Sequence, residues 1–294
     1  AGAGYQTVGI SSHFYFTKER GITQGFARYD NEGARSIKDS NHDIAAPRIV
    51  PRVVAELKAL KAAGKPFVLF THLFEPHSTY MEHAEFPVSS RGVEGLEEKY
   101  DYEIAFVDRY VGELLAAVKA AGLYDDTLIV LFSDHGEAFG AHRAYGERMF
   151  FHGQTLYDEL LRVPLIVRIP GQKARTIDDP VMLLDLAPTL LAAVNAPMPT
   201  QFQGRSLLPA LLGDRLRKGD VVAELERAPS WDHSAKMLLD ANTATKIIYR
   251  ASDNHFELYD LAVDPEETRD LARVRPDLLA TMKQRITTWM ESLP

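Results

Sequence analysis

The sequence predicts an α/β fold in which a mostly parallel central sheet is sandwiched by helices and followed by a small antiparallel α+β subdomain at the carboxyl end. Three observations predict it. Short, nearly continuous apolar runs occur at Phe67–Thr71 (FVLFT), residues 127–132 (TLIVLF) and residues 165–169 (LIVRI), as expected of strands buried on both faces. Amphipathic helical patterns lie between these runs, which is the βαβ rhythm of a parallel sheet. Beyond about residue 215, short strand patterns follow one another without long helices between them.

In chain order, Val50, Val53, Val54, Leu57 and Leu60 fall on one helical face, and Gly64 supplies a stop. Ile104, Val107, Val111, Leu114, Leu115 and Val118 repeat the pattern before Gly122. A further helix is expected from Asp185, whose carboxylate can cap the first turn of LAPTLLAAV, with Pro188 tolerated early because its missing N–H would be unpaired there. Strand patterns at Val221–Leu225, residues 246–250 and residues 256–259 precede one amphipathic helix marked by Leu278, Leu279, Met282, Ile286, Trp289 and Met290. The reading is two domains, a catalytic-type α/β domain over 1–215 and a carboxyl-terminal subdomain over 216–294.

Composition narrows the function classes. The 294 residues carry a formal net charge of -8 and no Lys/Arg-rich block, which argues against nucleic acid and anionic membranes as partners while leaving room for a small anionic substrate held by local cations. The lack of cysteine excludes disulfides, thiolate metal sites and a cysteine nucleophile. No run approaches the ~18 apolar residues of a membrane helix. No G-x-S-x-G elbow, Walker-type phosphate loop or H-E-x-x-H helix is present, and the glycines at 2 and 4 precede a strand instead of following one.

Six of the ten histidines fall between residues 72 and 152, the stretch that holds the clearest strands, and this concentration points to a site. Ser133-Asp134-His135-Gly136-Glu137 follows TLIVLF directly, and ligand sites in open α/β sheets lie beyond the carboxyl ends of strands. A carboxylate beside a neutral imidazole is a sensible donor pair for a divalent cation; the competing reading is an Asp that caps a turn beside a surface His. His77 follows FVLFTHLFEP, in a loop that Pro76 restricts, where it can donate to an anionic oxygen or act as a general acid. His152, in FFHGQT, can face the same mouth. The expectation is that His77, Asp134, His135 and His152 line one pocket, that His42, His83, His233 and His255 lie outside it, and that Glu75 and Glu137 serve turn and supporting roles.

The run SDHGEAFGAH followed by FFHGQTLYDELLRVPLIVRIPG resembles the metal-binding strand end of the sulfatase family, within the alkaline phosphatase superfamily. KPFVLFTHLFEPHSTY, YEIAFVDRYVGELL, LLDLAPTLLAAVNAPMP, FQGRSLLP and FELYDLAVDPEETRDLA extend the resemblance in order across nearly the whole chain. It implies an alkaline-phosphatase-like fold and a metal-dependent sulfuric ester hydrolase, with Asp134 and His135 as metal ligands and His77 and His152 in contact with the sulfate group or the leaving oxygen. The family's metal is Ca²⁺, and the imidazole of His135 also admits Mn²⁺ or Zn²⁺. GISSHFYF resembles a strand that often reads Gly-Lys-Trp-His, so His13 matches the catalytic His while Ser11 stands in place of the Lys.

The family's upstream acidic pair and its C/S-x-P-S-R formylglycine motif are not found in these residues. The chain thus resembles the family's central and carboxyl-terminal part, and the expectation is that it does not hydrolyse sulfate esters by the family mechanism alone. Competing readings are a metal-dependent phosphodiesterase or phosphoglycerol-type transferase of the same superfamily, and a non-catalytic binding protein that keeps the fold. The resemblance also favours a periplasmic or otherwise extracytoplasmic setting.

Overall fold

A computed structural model describes residues 2–31, 44–228 and 231–293; His42 lies outside the described residues. The chain forms two compact units, Ala1–Thr127 and Leu128–Pro294, and each is described by itself.

In the first unit, β1 (Gln6–Ile10) is the middle strand of a three-stranded parallel sheet. It pairs with β2 (Arg28–Asp30) on one side, and α1 (Ala46–Ala63) leads on to β3 (Phe67–Thr71) on the other. Helix α1 buries Val50, Val53, Leu57 and Leu60, as the periodicity predicts, and Ile49 as well, while Val54 is only half-buried; Ile49, Val53, Leu57 and Leu60 pack with Val8 and Ile10 of β1 and Phe74 beyond β3. It stops at Gly64, whose φ of 62° is the left-handed conformation a helix end favours. Helix α2 (Gly92–Ala120) departs from expectation. Its fully buried positions are Gly95, Glu103 and Phe106, while Ile104 is exposed and Leu114 and Val118 pack against the α1 core only in part.

The second unit opens with β4 (Ile129–Phe132), β5 (Ala138–Ala144) and β6 (Glu147–Phe151), continues through the one-turn α3 (Asp158–Leu161), and adds β7 (Leu165–Arg168). Strands β5 and β6 form a hairpin closed by Tyr145 and Gly146, whose φ values of 53° and 85° are the positive pair that a two-residue primed turn demands. Strands β4 and β7 pair antiparallel, Ile129 opposite Arg168 and Phe132 opposite Leu165. This corrects the expectation of three central strands in one sheet: β3 belongs to the parallel sheet of the first unit, and β4 and β7 form their own pair. Nor are the three buried on both faces, since Val68, Phe132 and Ile166 are 46%, 43% and 63% exposed. Apolar continuity reports β propensity, and it carries no information about a partner's direction.

Helix α4 (Leu186–Ala193) begins after Asp185 as expected, but the Asp185 carboxylate does not cap it. Wholly buried, it accepts instead from the backbone N–H groups of Met182 (3.1 Å) and Arg205 (2.8 Å), tying the following loop to the helix start. After α5 (Leu208–Leu212), the strands β8 (Val221–Leu225), β9 (Ala235–Asp240), β10 (Thr245–Arg250) and β11 (His255–Asp260) form an antiparallel sheet in the order β11-β10-β9-β8. Alternation splits it into two faces. Leu238, Ile247 and Leu258 pack on Met282 and Ile286 of α6 (Pro276–Glu291), and Met237, Ile248 and Tyr259 pack on Leu156 and Tyr157, just beyond β6.

Candidate active site

Every predicted site residue sits in a loop that leaves the carboxyl end of a strand: His13 after β1, His77 after β3, Asp134 and His135 after β4, and His152 after β6.

In the first unit, the buried His13 lies with its ring centroid 6.1 Å from that of His77, and both rings stack on Phe74, at 5.3 and 4.8 Å. The N–H of Tyr15 donates to His13 Nδ1 at 3.2 Å, which puts the neutral ring's proton on Nε2. His77 has the opposite tautomer, because its Nδ1 lies 2.6 Å from the carbonyl oxygen of Ser78, which can only accept. Ser11 is buried and donates to Asn31 Oδ1 at 2.6 Å; Asn31 in turn donates to the carbonyls of His13 and Phe16 and so fixes the loop. Glu75 serves the turn, its buried carboxylate accepting from the N–H groups of Ala45 and Ala46 at the start of α1. Sequence reasoning did not single out His72, whose ring is 6.3 Å from His13 and whose carbonyl accepts from Ser12. Its place between FVLFT and Pro76 was the available signal.

In the second unit, Asp134, His135 and His152 come together with Glu137. The rings of His135 and His152 stack at 3.9 Å, Asp134 Oδ1 is 3.8 Å from His135 Nε2, and His152 Nδ1 is 3.0 Å from Glu137 Oε1. Two left-handed residues, Phe151 (φ 65°) and Gly153 (φ 81°), flank His152 and turn it out of β6. Gly136 is needed for close approach: a Cβ there would stand 2.1 Å from the carbonyl oxygen of Glu159, and the N–H groups of Gly136 and Glu137 donate to the carbonyls of Leu160 and Glu159. Glu137 sits beneath with its side chain only 2% exposed, while Asp134, 76% exposed, projects outward.

The donor set suits a divalent ion in part. His135 Nδ1 lies 2.8 Å from the Gly136 carbonyl, so Nδ1 carries the proton and the lone pair is on Nε2, the atom nearest Asp134. A separation of 3.8 Å is one that two ligands of a single ion, each at about 2.0–2.5 Å, can span. Among the described residues no group of three or more His, Asp or Glu side chains forms a complete cage.

His142 has a structural place. Its Nδ1 is 2.9 Å from Glu159 Oε1, its Nε2 is 3.0 Å from the Glu266 carbonyl, and its ring stacks on Tyr157. Burial opposes its charge, but the Glu159 hydrogen bond and charge, with Glu266 and Glu267, outweigh burial and raise its pKa. His83 is likewise enclosed with Glu103 in the first unit, and His233 stacks on Tyr145 in the second.

Residues 1–196 match the family model described as Sulfatase, and residues 146–292 match N-sulphoglucosamine sulphohydrolase, C-terminal. The chain belongs to the sulfatase family. Arylsulfatase K of Xenopus laevis is 27% identical over 228 residues, covering 73% of this chain, and the chain spans 41% of the length of that relative. Among solved structures, a 2-O GAG sulfatase has a TM-score of 0.77 at 21% identity, covering 99% of this chain and 72% of its own. The phosphonate monoester hydrolase of Silicibacter pomeroyi also has a TM-score of 0.77, at 20% identity, covering 99% of this chain and 79% of its own. These likenesses establish the alkaline-phosphatase-like α/β fold of the sulfatases. Among the described residues, no helix of this sulfatase-family chain is long and apolar enough to cross a membrane.

Proposed function

We propose that the protein is a divalent-metal-dependent hydrolase of small anionic sulfate esters, acting outside the cytoplasm. Asp134 and His135 would hold the metal, Ca²⁺ first and Mn²⁺ or Zn²⁺ as alternatives. The observation that carries the reading is the lone pair of His135 Nε2 held beside Asp134 in a sulfatase-family chain, with His152 stacked against it. A bound divalent ion supplies charge that polarises the sulfate ester and lowers a nucleophile's pKa. His13, with its proton on Nε2, donates to a sulfate oxygen. His77 and His152 each have Nδ1 committed to an acceptor, so their imidazolium forms present an Nε2 proton for the anion or the departing alcohol oxygen.

The nucleophile is proposed to lie outside these 294 residues, which hold neither cysteine nor the S-x-P-S-R motif, and this segment alone is proposed to be inactive. A second reading, transfer or hydrolysis of a phosphate or phosphonate ester, is favoured by the likeness to the phosphonate monoester hydrolase. Expressing the complete reading frame and comparing turnover of 4-nitrophenyl sulfate with 4-nitrophenyl phosphate and a phenylphosphonate monoester separates the two. Faster metal-dependent release from the sulfate supports the sulfatase reading, and faster release from the phosphorus esters replaces it with the second.

A further inference from the structure

In the second unit, three buried polar atoms that have no hydrogen-bond partner among the described residues belong to residues around one cavity. They are the hydroxyl of Tyr145, at the turn of the β5–β6 hairpin, the hydroxyl of Thr155, three residues beyond His152, and Nε of Arg250, at the end of β10. The cavity is further lined by Leu156, Ala235 and Ile248, and its volume is about 10 Å³. That is close to the ~10–15 Å³ a single water needs, and a buried water needs two to four polar partners.

Each of the three groups is held in place. The ring of Tyr145 lies flat on His233, with centroids 3.7 Å apart and planes 4° from parallel, and the Arg250 guanidinium carbon sits 5.0 Å from its centroid. The other guanidinium nitrogens of Arg250 are taken, Nη1 by Glu257 at 3.1 Å and Nη2 by Asp253 at 2.9 Å. Thr155 is fixed by its neighbours Leu156 and Tyr157, which are part of the core beneath the sheet. A buried hydroxyl or N–H left without a partner is destabilising, so three at one cavity call for a ligand.

We propose that this cavity is an internal hydration site holding one water, which accepts from Arg250 Nε–H and exchanges hydrogen bonds with the hydroxyls of Tyr145 and Thr155. The chemistry selects water. An Nε–H offers only a donor, which excludes a cation, and the two carboxylates already paired with Arg250 disfavour an anion. The water joins the chain just beyond His152 to the carboxyl-terminal sheet, so it supports the loop that presents His152. The inference stands independently of the proposed activity.

A crystal structure of the 294-residue chain at better than 2 Å is the test. One water peak within hydrogen-bond distance of at least two of the three atoms is expected, together with no anomalous peak there after a bromide soak. An empty cavity, direct bonds among the three groups, or bromide in the site would overturn the proposal. In solution, Thr155→Val is expected to speed amide exchange over residues 153–157 at least fivefold, while Thr155→Ser stays at the parent rate. Equal rates in the parent and both variants would contradict the bridging role.

Discussion

His135 and His152 stack ring on ring, their centroids 3.9 Å apart and their planes 24° from parallel, although 16 residues of hairpin separate them in the chain. What sets the second ring is Glu137, whose buried carboxylate lies 3.0 Å from His152 Nδ1. Long-range proton–nitrogen NMR spectra of the chain should therefore show His152 with its proton on Nδ1 when neutral. Glu137→Gln, which keeps an accepting oxygen, preserves this tautomer, and Glu137→Leu mixes the two. In the active protein, Glu137→Leu is expected to lower turnover about 10–100-fold, the usual cost of losing a group that orients a site histidine. An Nε2–H tautomer in the parent chain would show that Glu137 has no such role.

Gly136→Ala tests the packing beneath the site. The added methyl would press on the backbone oxygen of Glu159, which cannot swing away as a flexible side chain would. A loss of about 1–3 kcal/mol in denaturant unfolding is expected, along with weaker Mn²⁺ binding by calorimetry because His135 is displaced. A variant as stable as the parent would mean that α3 yields freely.

The enclosed pair His83 and Glu103, 2.9 Å apart, predicts a pH effect in the first unit. Burial, opposed by the Met81 N–H and helped by Glu75, pushes the Glu103 carboxyl up to about 8, and burial lowers His83 with Glu85 and Arg109 acting in opposite senses. At neutral pH the pair is a carboxylic acid beside a neutral imidazole. Between about pH 4.5 and 8, the unfolded chain gives up the Glu103 proton while the folded one keeps it, so this group's contribution to stability falls as pH rises. His83 acts with the opposite sign below its ordinary 6.5. Glu103→Gln keeps an oxygen for both the Met81 N–H and His83. Relative to the parent, it should gain of the order of a few kcal/mol between pH 5 and 9. Parallel melting curves across that range would refute the protonated assignment.

Lys246, without exposed surface, lies 2.6 Å from Asp158 and 2.7 Å from Glu267. Lys246→Ala leaves two carboxylates facing a buried void, and a loss of about 3–5 kcal/mol is expected in equilibrium unfolding. Lys246→Met with Glu267→Gln should recover part of it. A single variant within about 1 kcal/mol of the parent would show that water reaches the pair.

The parts of this fold that depend on local pattern were legible. Helix α1 and α6 announce their buried faces by spacing, and β8, β10 and β11 appear as short strand runs with no long helix between them. Strand β9 was not, since AKMLLD combines a lysine, a methionine and two leucines, residues that become a strand only between two neighbours. The β5–β6 hairpin hid behind Gly140 and a Tyr-Gly turn where Asn-Gly is the usual signal. At the site, Asp134 and His135 could be read because they follow an apolar strand directly. The stacking of His152, the hold of Glu137 and the meeting of His13 and His77 across 64 residues depend on tertiary placement that spacing does not encode.

The most direct test of the metal-dependent sulfatase reading is metal-dependent release of 4-nitrophenol from 4-nitrophenyl sulfate, measured for the complete reading frame, its Asp134→Ala variant and the 294-residue chain, with Ca²⁺ and Mn²⁺ added separately. The account predicts turnover by the complete protein that chelation abolishes, a loss of at least about 10³-fold in Asp134→Ala, and none from the 294-residue chain. Undiminished turnover by Asp134→Ala, or metal-dependent turnover by the 294-residue chain that Asp134→Ala removes, would contradict it, the first on the metal site and the second on where the nucleophile lies.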